Sequence, residues 1–210
     1  MDDLAALARA ARDLLPQGHG LGVTDPRAAH PAFPGETVAG VAKRQSEFRA
    51  GRHAARAALA ELGLPDRPIP AGADRAPIWP LGLIGSISHS DRLCLAAVGR
   101  GRGIGVDLEP AEPLEPQIHR MILSPEDRGS EGAVISGLET RLIFSAKEAA
   151  YKAQYPLSRQ LFDFQTLAVT VQGDRFEARF RRDIAPFTPQ SVLQGRWAQV
   201  AGHFLCVVAL

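Results

Sequence analysis

Along residues 2–15, Leu4, Leu7, Ala11 and either Leu14 or Leu15 fall at spacings of three and four, which predicts an amphipathic helix stopped by Pro16. The same period returns over 41–62, the longest helical pattern. It carries Val41, Phe48, Ala55, Leu59 and Leu62 on one side and Arg44, Arg49, Arg52 and Arg56 on the other, and it ends at Gly63 with Pro65 beyond. Between these two patterns a run rich in Gly, Pro and His, reaching to about Gly35, predicts a loop. The Pro and Gly density of 65–83 denies regular structure. The period then changes to two: 85–90, 93–98 and 104–109 are short β-rich runs separated by turn residues, and they predict a meander of adjacent strands. The sequence SGLE at 136–139 has the form of a capping box, and the helix it opens is expected to pass Lys152 and stop near Tyr155, before Pro156. Strands are predicted again over 167–171, 176–180 and 199–210. Helix followed by strands occurs twice, so the pattern predicts an α+β chain of two comparable lobes, 1–102 and 103–210, joined near residues 100–104.

Composition narrows the function more than the fold. With 45% hydrophobic and 22% charged residues in 210, the chain is globular, and a net charge of +1 gives no global attraction to nucleic acid or membrane. Any anion site has to be built locally. Cys94 and Cys206 lie alone in apolar runs without metal-ligand spacing, which predicts buried thiols in a reducing compartment. The start of the chain is acidic and amphipathic, unlike a secretory signal, and no apolar run approaches the roughly 20 residues of a membrane span. A soluble, cytoplasmic protein is expected.

Two stretches carry candidate chemistry. In GVDLE, 105–109, a strand would project Asp107 and Glu109 from one face about 7 Å apart, with Val106 and Leu108 on the other, buried face. Adjacent carboxylates repel, and a divalent cation removes that cost; hard oxygen ligands suit Mg²⁺. The plainer reading is two solvated acids on an edge strand. In FSAKEAAYK, 144–152, Glu148 and Lys152 are neighbours on one helix face, as a surface ion pair or as part of a site, while Lys147 points about 100° away. Ala146, Ala149, Ala150 and Ala153 leave room for another element or a ligand to approach. Arg44 and Arg52 are eight apart, about two turns along a helix and roughly 80° around it, so they either converge on one anion or solvate an amphipathic helix. Gly51 is a poor helix former whose presence points to a close approach. GSISHS, 85–90, places His89 and hydroxyls at a strand end, able to donate to phosphate. GRGIG, 101–105, is shaped like a phosphate loop but precedes a strand rather than a helix, so a dinucleotide reading fails its context.

GVDLE followed some 40 residues later by FSAKEAAYK resembles the paired motifs of the phosphopantetheinyl transferases, G-[IV]-D-[ILV]-E and [FW]-x-x-K-E-[AS]-x-x-K. RQSEFRAGRHAARAAL, RAPIWPLGLIGSISHS and KAQYPL resemble the larger bacterial branch that includes the enterobactin-synthase activating enzymes, so the likeness runs from about Arg44 to Phe164. The resemblance implies a monomeric fold of two pseudosymmetric α+β lobes with coenzyme A in the cleft between them. It implies that an apo acyl or peptidyl carrier protein is the partner. It marks Asp107, Glu109 and Glu148 as ligands of Mg²⁺, with Mn²⁺ an alternative, and Arg44, Arg52 and His89 as partners of the 3′-phosphate region of coenzyme A. Lys152 becomes a diphosphate contact, and Lys147, Ser88 and Arg75 are further candidates for cofactor binding. Phe144 stands where many members carry tryptophan and keeps an aromatic packing anchor. A carrier serine would attack the β-phosphate of coenzyme A, with Glu148, or a water it orients, as candidate base and Lys152 stabilising charge. Residues 118–123 are a candidate carrier-docking segment. A metal-dependent nuclease would need a basic track that the near-neutral charge argues against, and a coenzyme-A-binding module would not transfer the group.

Overall fold

The computed structural model describes residues 2–129 and 135–210. The chain forms two compact units, Met1–Gly101 and Arg102–Leu210. Each combines helices with one antiparallel sheet, as expected of an α+β chain.

In the first unit, α1 (Asp3–Leu14) starts at Asp2, whose carboxylate accepts from Leu4 N, and it buries Leu7, Ala11 and Leu14. It is followed by β1 (Gly20–Thr24), α2 (Ala42–Glu61), β2 (Ile84–His89) and β3 (Cys94–Gly99), with sheet order β1-β3-β2. The strand β1 lies in the run read as loop. Its sequence, GLGVT, shows little apolar alternation because Gly20 and Gly22 lie under α2, where an added Cβ would overlap the carbonyls of Ala58 and Ala54. The close approach inferred at Gly51 comes from β2: a Cβ there would stand 2.9 Å from Ile87 Cγ2.

The arginine-rich side of α2 is not solvated throughout, as the periodicity suggested. Arg52 and Arg56 are 5% and 4% exposed, whereas Val41, expected on the apolar side, is 74% exposed. Arg56 Nη1 donates to both oxygens of Glu36, at 2.7 and 2.6 Å, and Ile69 N donates to Glu36 Oε1 at 2.8 Å. The irregular segments around residues 36 and 69 thereby cover this side of the helix. No regular element occupies 65–83.

The second unit contains β4 (Ile104–Pro110), α3 (Pro116–Ile122), α4 (Gly137–Ser158), β5 (Leu167–Gln172), β6 (Arg175–Phe180), β7 (Val192–Val200) and β8 (His203–Ala209), with sheet order β4-β8-β7-β6-β5. The expected three-strand meander is corrected here: β2 and β3 pair, but β4 pairs with β8 and belongs to the other sheet. The run 199–210 is the end of β7, a turn at Ala201 and Gly202, and β8. Helix α4 opens with the reciprocal Ser136/Glu139 cap and continues past the expected stop, holding Pro156 in its last turn and closing at left-handed Arg159. Proline cannot donate an intrahelical bond at that position, but only two helical residues follow it, so the loss is confined to the last turn. Phe144 packs on Phe164 with ring centroids 5.1 Å apart, the aromatic anchor expected at that position.

One packing device recurs in both units. A Cβ at Gly103 or Gly105 would overlap the carbonyl of Ala153 or Ala149, and Ala146, Ala149, Ala150 and Ala153 are all 0% exposed. The small residues of α4 therefore admit strand β4, not a ligand, just as glycines of β1 admit α2. Both cysteines are buried, and neither forms a disulfide among the described residues. Among the described residues no helix is long and apolar enough to cross a membrane.

Candidate active site

The contact of α4 with β4 assembles the charged residues of the second unit. Asp107 and Glu109 share a face of β4 and stand across from Cys206 and Phe204 of β8, residues that belong to the core beneath α4. Val106 and Leu108, on the other face, are 0% and 1% exposed, as the alternation required. Lys152 Nζ donates to Asp107 Oδ1 at 2.6 Å and to Val106 O at 3.2 Å. Arg141 Nη1 donates to Glu109 Oε2 at 2.8 Å. Lys152 thus makes an ion pair with Asp107 across the helix–strand contact.

These charges perturb one another. Burial acts to lower the pKa of Lys152, but the carboxylates of Asp107, Glu148 and Glu109 together hold it above its usual value. The amine remains charged. Burial raises the pKa of Glu148, and the charge of Asp107 adds to the rise while Lys152 opposes it. Glu109 is raised in the same way, by burial and then by Asp107, with Arg141 opposing.

A carboxyl whose folded pKa is raised contributes stability that is complete below its unfolded value, near 4.5, and is lost as pH rises through the folded one. Without divalent cations the protein is therefore expected to gain stability from Glu109 and Glu148 on acidification from neutral pH toward that value. Glu148→Gln should raise the melting midpoint near neutral pH by a few degrees and shrink the gain on acidification. Melts across that range check this; a variant with the wild-type profile would show that Glu148 is not perturbed.

Beside Glu148 lies a small pocket of about 80 Å³ lined by Lys147, Glu148, Tyr151, Phe162, Asp163, Phe164 and Leu167. It is smaller than the pockets that enclose whole small ligands, and it mixes aromatic walls with carboxylates. Lys147 itself is withdrawn from chemistry, which corrects its reading as a cofactor contact. Only 1% of its side chain is exposed, and Nζ donates to Asp127 Oδ2 at 2.8 Å, Ile122 O at 2.7 Å and Phe164 O at 3.1 Å. Those three bonds use every proton of the ammonium group. Burial lowers its pKa, and Asp127 works against that. Asp127 also accepts from Ser124 N at 2.5 Å and Val169 N at 2.6 Å, so this buried pair ties the segment after α3 and the start of β5 to α4.

The first unit presents its candidates separately. Arg52 is held under the surface, with Nε donating to Ile69 O at 2.7 Å and the guanidinium carbon 4.2 Å from the centre of the Phe48 ring. Burial pushes its pKa down to about 10, Glu36 opposes this, and the positive charge of Arg44 adds to it. Arg44 is exposed in the first turn of α2. Ser88 is 7% exposed on β2, and His89 is the last residue of that strand. Arg75 is exposed and left-handed, at φ 67°, in a turn where its N–H donates to Gly72 O at 2.9 Å.

Carboxylate oxygens are the right donors for a hard divalent cation, and Asp107 raises the pKa of both Glu109 and Glu148, a repulsion that a cation would relieve. Among the described residues, however, no three His, Cys, Asp or Glu side chains converge closely enough to hold a metal. Lys152 and Arg141 supply the compensating charge instead. Sequence reasoning missed Arg141, although it lies two helical turns before Glu148 on the same stripe of α4. It also missed Asp127, which no spacing marks.

Comparison with known proteins identifies the family. Residues 33–99 match the model of the 4′-phosphopantetheinyl transferase N-terminal domain, and residues 103–208 match that of the 4′-phosphopantetheinyl transferase superfamily. The chain is 35% identical to the 4′-phosphopantetheinyl transferase PptT of Mycobacterium tuberculosis over 183 residues, covering 81% of each protein. It is 36% identical to the 4′-phosphopantetheinyl transferase Npt of Nocardia iowensis over 197 residues, 86% of this chain and 89% of that one. Enterobactin synthase component D of Salmonella typhimurium matches at 43% over a shorter span, 53% of this chain and 48% of its own. With models matched in both units and relatives aligned along most of their length, the chain belongs to the 4′-phosphopantetheinyl transferase superfamily.

Proposed function

We propose that α4 and β4 carry the reacting groups of a divalent-metal-assisted transfer, and that α2 and β2 bind the 3′-phosphate end of the substrate. As a member of its family the protein transfers the 4′-phosphopantetheine group of coenzyme A to a serine of an apo carrier protein, releasing adenosine 3′,5′-bisphosphate. The observation that carries the residue assignment is the partly buried Asp107–Lys152 pair beside Glu148.

Asp107, Glu109 and Glu148 would hold Mg²⁺, or Mn²⁺ in its place. When bound, the cation would neutralise charge on the diphosphate oxygens. Lys152, kept protonated by its acidic surroundings, contacts a diphosphate oxygen and stabilises charge that grows as the bond breaks. Glu148 takes the proton of the carrier serine, directly or through one water. Tyr151, Phe162 and Phe164 form an aromatic wall beside Glu148 against which part of the pantetheine arm would rest. Arg52, half-satisfied by a backbone carbonyl and lowered in pKa by burial, gains a strong partner from a phosphate. Arg44, Ser88, His89 and Arg75 complete that proposal.

For the carrier, α3 and the segment after it offer an open groove of about 390 Å³ lined by His119, Arg120, Leu123, Ser124, Pro125 and Gln165, with Met121 beside it, 67% exposed. Ile122, 4% exposed, turns into the core and drops out of the docking segment. Basic and apolar groups together suit an acidic carrier helix.

Incubating the protein with coenzyme A, Mg²⁺ and an apo carrier is expected to add the phosphopantetheinyl mass to one serine. A carrier of unchanged mass, with coenzyme A bound, would leave only a binding module. The 3′-phosphate assignment is tested with 3′-dephospho-coenzyme A. Arg44→Ala and Arg52→Ala should each weaken coenzyme A binding about 10- to 100-fold and lose most of the preference for the intact molecule. Variants that keep the wild-type preference would place the phosphate elsewhere.

A further inference from the structure

Helix α4 presents Arg141, Glu148 and Lys152 along one stripe, because positions seven and eleven residues after the first return to nearly the same side of a helix. The stripe lies against the face of β4 that carries Asp107 and Glu109. Lys152 takes Asp107, and Arg141 takes Glu109. Arg141 is also pinned from its other edge, with Nε donating to Glu112 O at 3.2 Å. Its side chain and that of Glu109 are only 20% and 22% exposed, so solvent screens this pair poorly.

We infer that Arg141 is a positioning residue that keeps the β4 carboxylates from taking a divalent cation by themselves, so that the metal loads together with the diphosphate of coenzyme A. The inference rests on the reading of Asp107, Glu109 and Glu148 as metal ligands. Its basis is charge. Three carboxylates face two fixed cations, which leaves one net negative charge to attract a dication, and each approach to Glu109 is opposed by the guanidinium already bound there. A diphosphate reverses the balance. It brings anionic oxygens that both the dication and the two cations of α4 favour, so metal and diphosphate each strengthen the binding of the other by the same factor. Arg141 then sets the strength of that coupling and need not touch the reacting atoms.

The test reads metal binding rather than turnover, with Mn²⁺ as probe and free Mn²⁺ measured by electron paramagnetic resonance. The folded wild-type protein is expected to bind Mn²⁺ alone weakly and to bind it more tightly with coenzyme A, after correction by a protein-free control for Mn²⁺ held by coenzyme A itself. Arg141→Met should tighten binding of Mn²⁺ alone by about tenfold or more, as removing a fixed cation near a dication requires, and should shrink the enhancement by coenzyme A. Arg141→Gln, neutral but able to bond Glu109 and Glu112 O, serves as a second neutral variant if the first does not fold. Arg141→Lys, which keeps the charge, should stay weak.

Asp107→Asn and Glu109→Gln separate the two levels of the argument. If neither weakens Mn²⁺ binding, the metal assignment fails and the inference fails with it. If both weaken it while the neutral Arg141 variants bind Mn²⁺ no more tightly than wild type, the metal reading stands and the proposed restraint by Arg141 is overturned.

Discussion

Asp107→Ala is expected to lower carrier phosphopantetheinylation by about 10³-fold, the largest effect on activity of any single change in the protein. The size follows from the position of Asp107 between two roles. It is a proposed metal ligand, and it also holds the ammonium of Lys152 at 2.6 Å, so its loss would disturb metal and lysine together. By sequence alone the change looks harmless to the fold, since it removes one of two repelling acids. The structure alters that expectation. Asp107 is 4% exposed and Lys152 26%, and removing one partner of a mostly buried pair leaves the other charge poorly compensated, at a cost of about 1 to 3 kcal/mol once the partial exposure of Lys152 is allowed for. Steady-state transfer and urea unfolding of the same preparation check both parts. In a double variant with Lys152→Met the loss of stability should largely disappear while transfer stays low. Full activity of Asp107→Ala at ordinary Mg²⁺ would remove it from the site.

The largest expected effect on stability lies at a residue with no part in the chemistry. Asp127→Ala should destabilise the second unit by about 3 to 5 kcal/mol, because Lys147 would keep a charge in a place that is 1% exposed and lose its only carboxylate partner among the described residues. Asp127 also caps Ser124 N and Val169 N, so two backbone donors lose their acceptor at the same time. Urea unfolding measures the loss, and Asp127→Ala combined with Lys147→Met should recover much of it by removing the stranded charge. If Lys147 were a cofactor contact instead, Lys147→Met would leave the fold intact and weaken coenzyme A binding, which is the opposite pattern.

The local chemistry of this protein was legible in its sequence wherever a short-range rule decides the outcome. Alternation on a strand put Asp107 and Glu109 on one face and sent Val106 and Leu108 to the other. The reciprocal cap at Ser136 and Glu139 fixed where α4 begins, and the four-residue spacing made Glu148 and Lys152 neighbours. The small residues of α4 and Gly51 of α2 announced close approaches, since a missing side chain is a local fact. Which element approaches is a long-range fact, and there the pattern fell silent. It took the contact of β4 with α4 to give Lys152 to Asp107 and Glu109 to Arg141, and to fill the space beside the alanines with backbone rather than ligand. Lys147 and Arg52 show the same limit from the other side. A charged residue reads as exposed in any periodic pattern, yet both are buried because distant segments bring a carboxylate or a carbonyl to them: Asp127 for the lysine, Ile69 O for the arginine. The strand β1 was hidden for a related reason, since its glycines are chosen by the helix above them and not by its own apolar alternation. Periodicity along the chain records the faces of each element, while the partner across each face is set by packing between segments tens of residues apart, which only the tertiary structure decides.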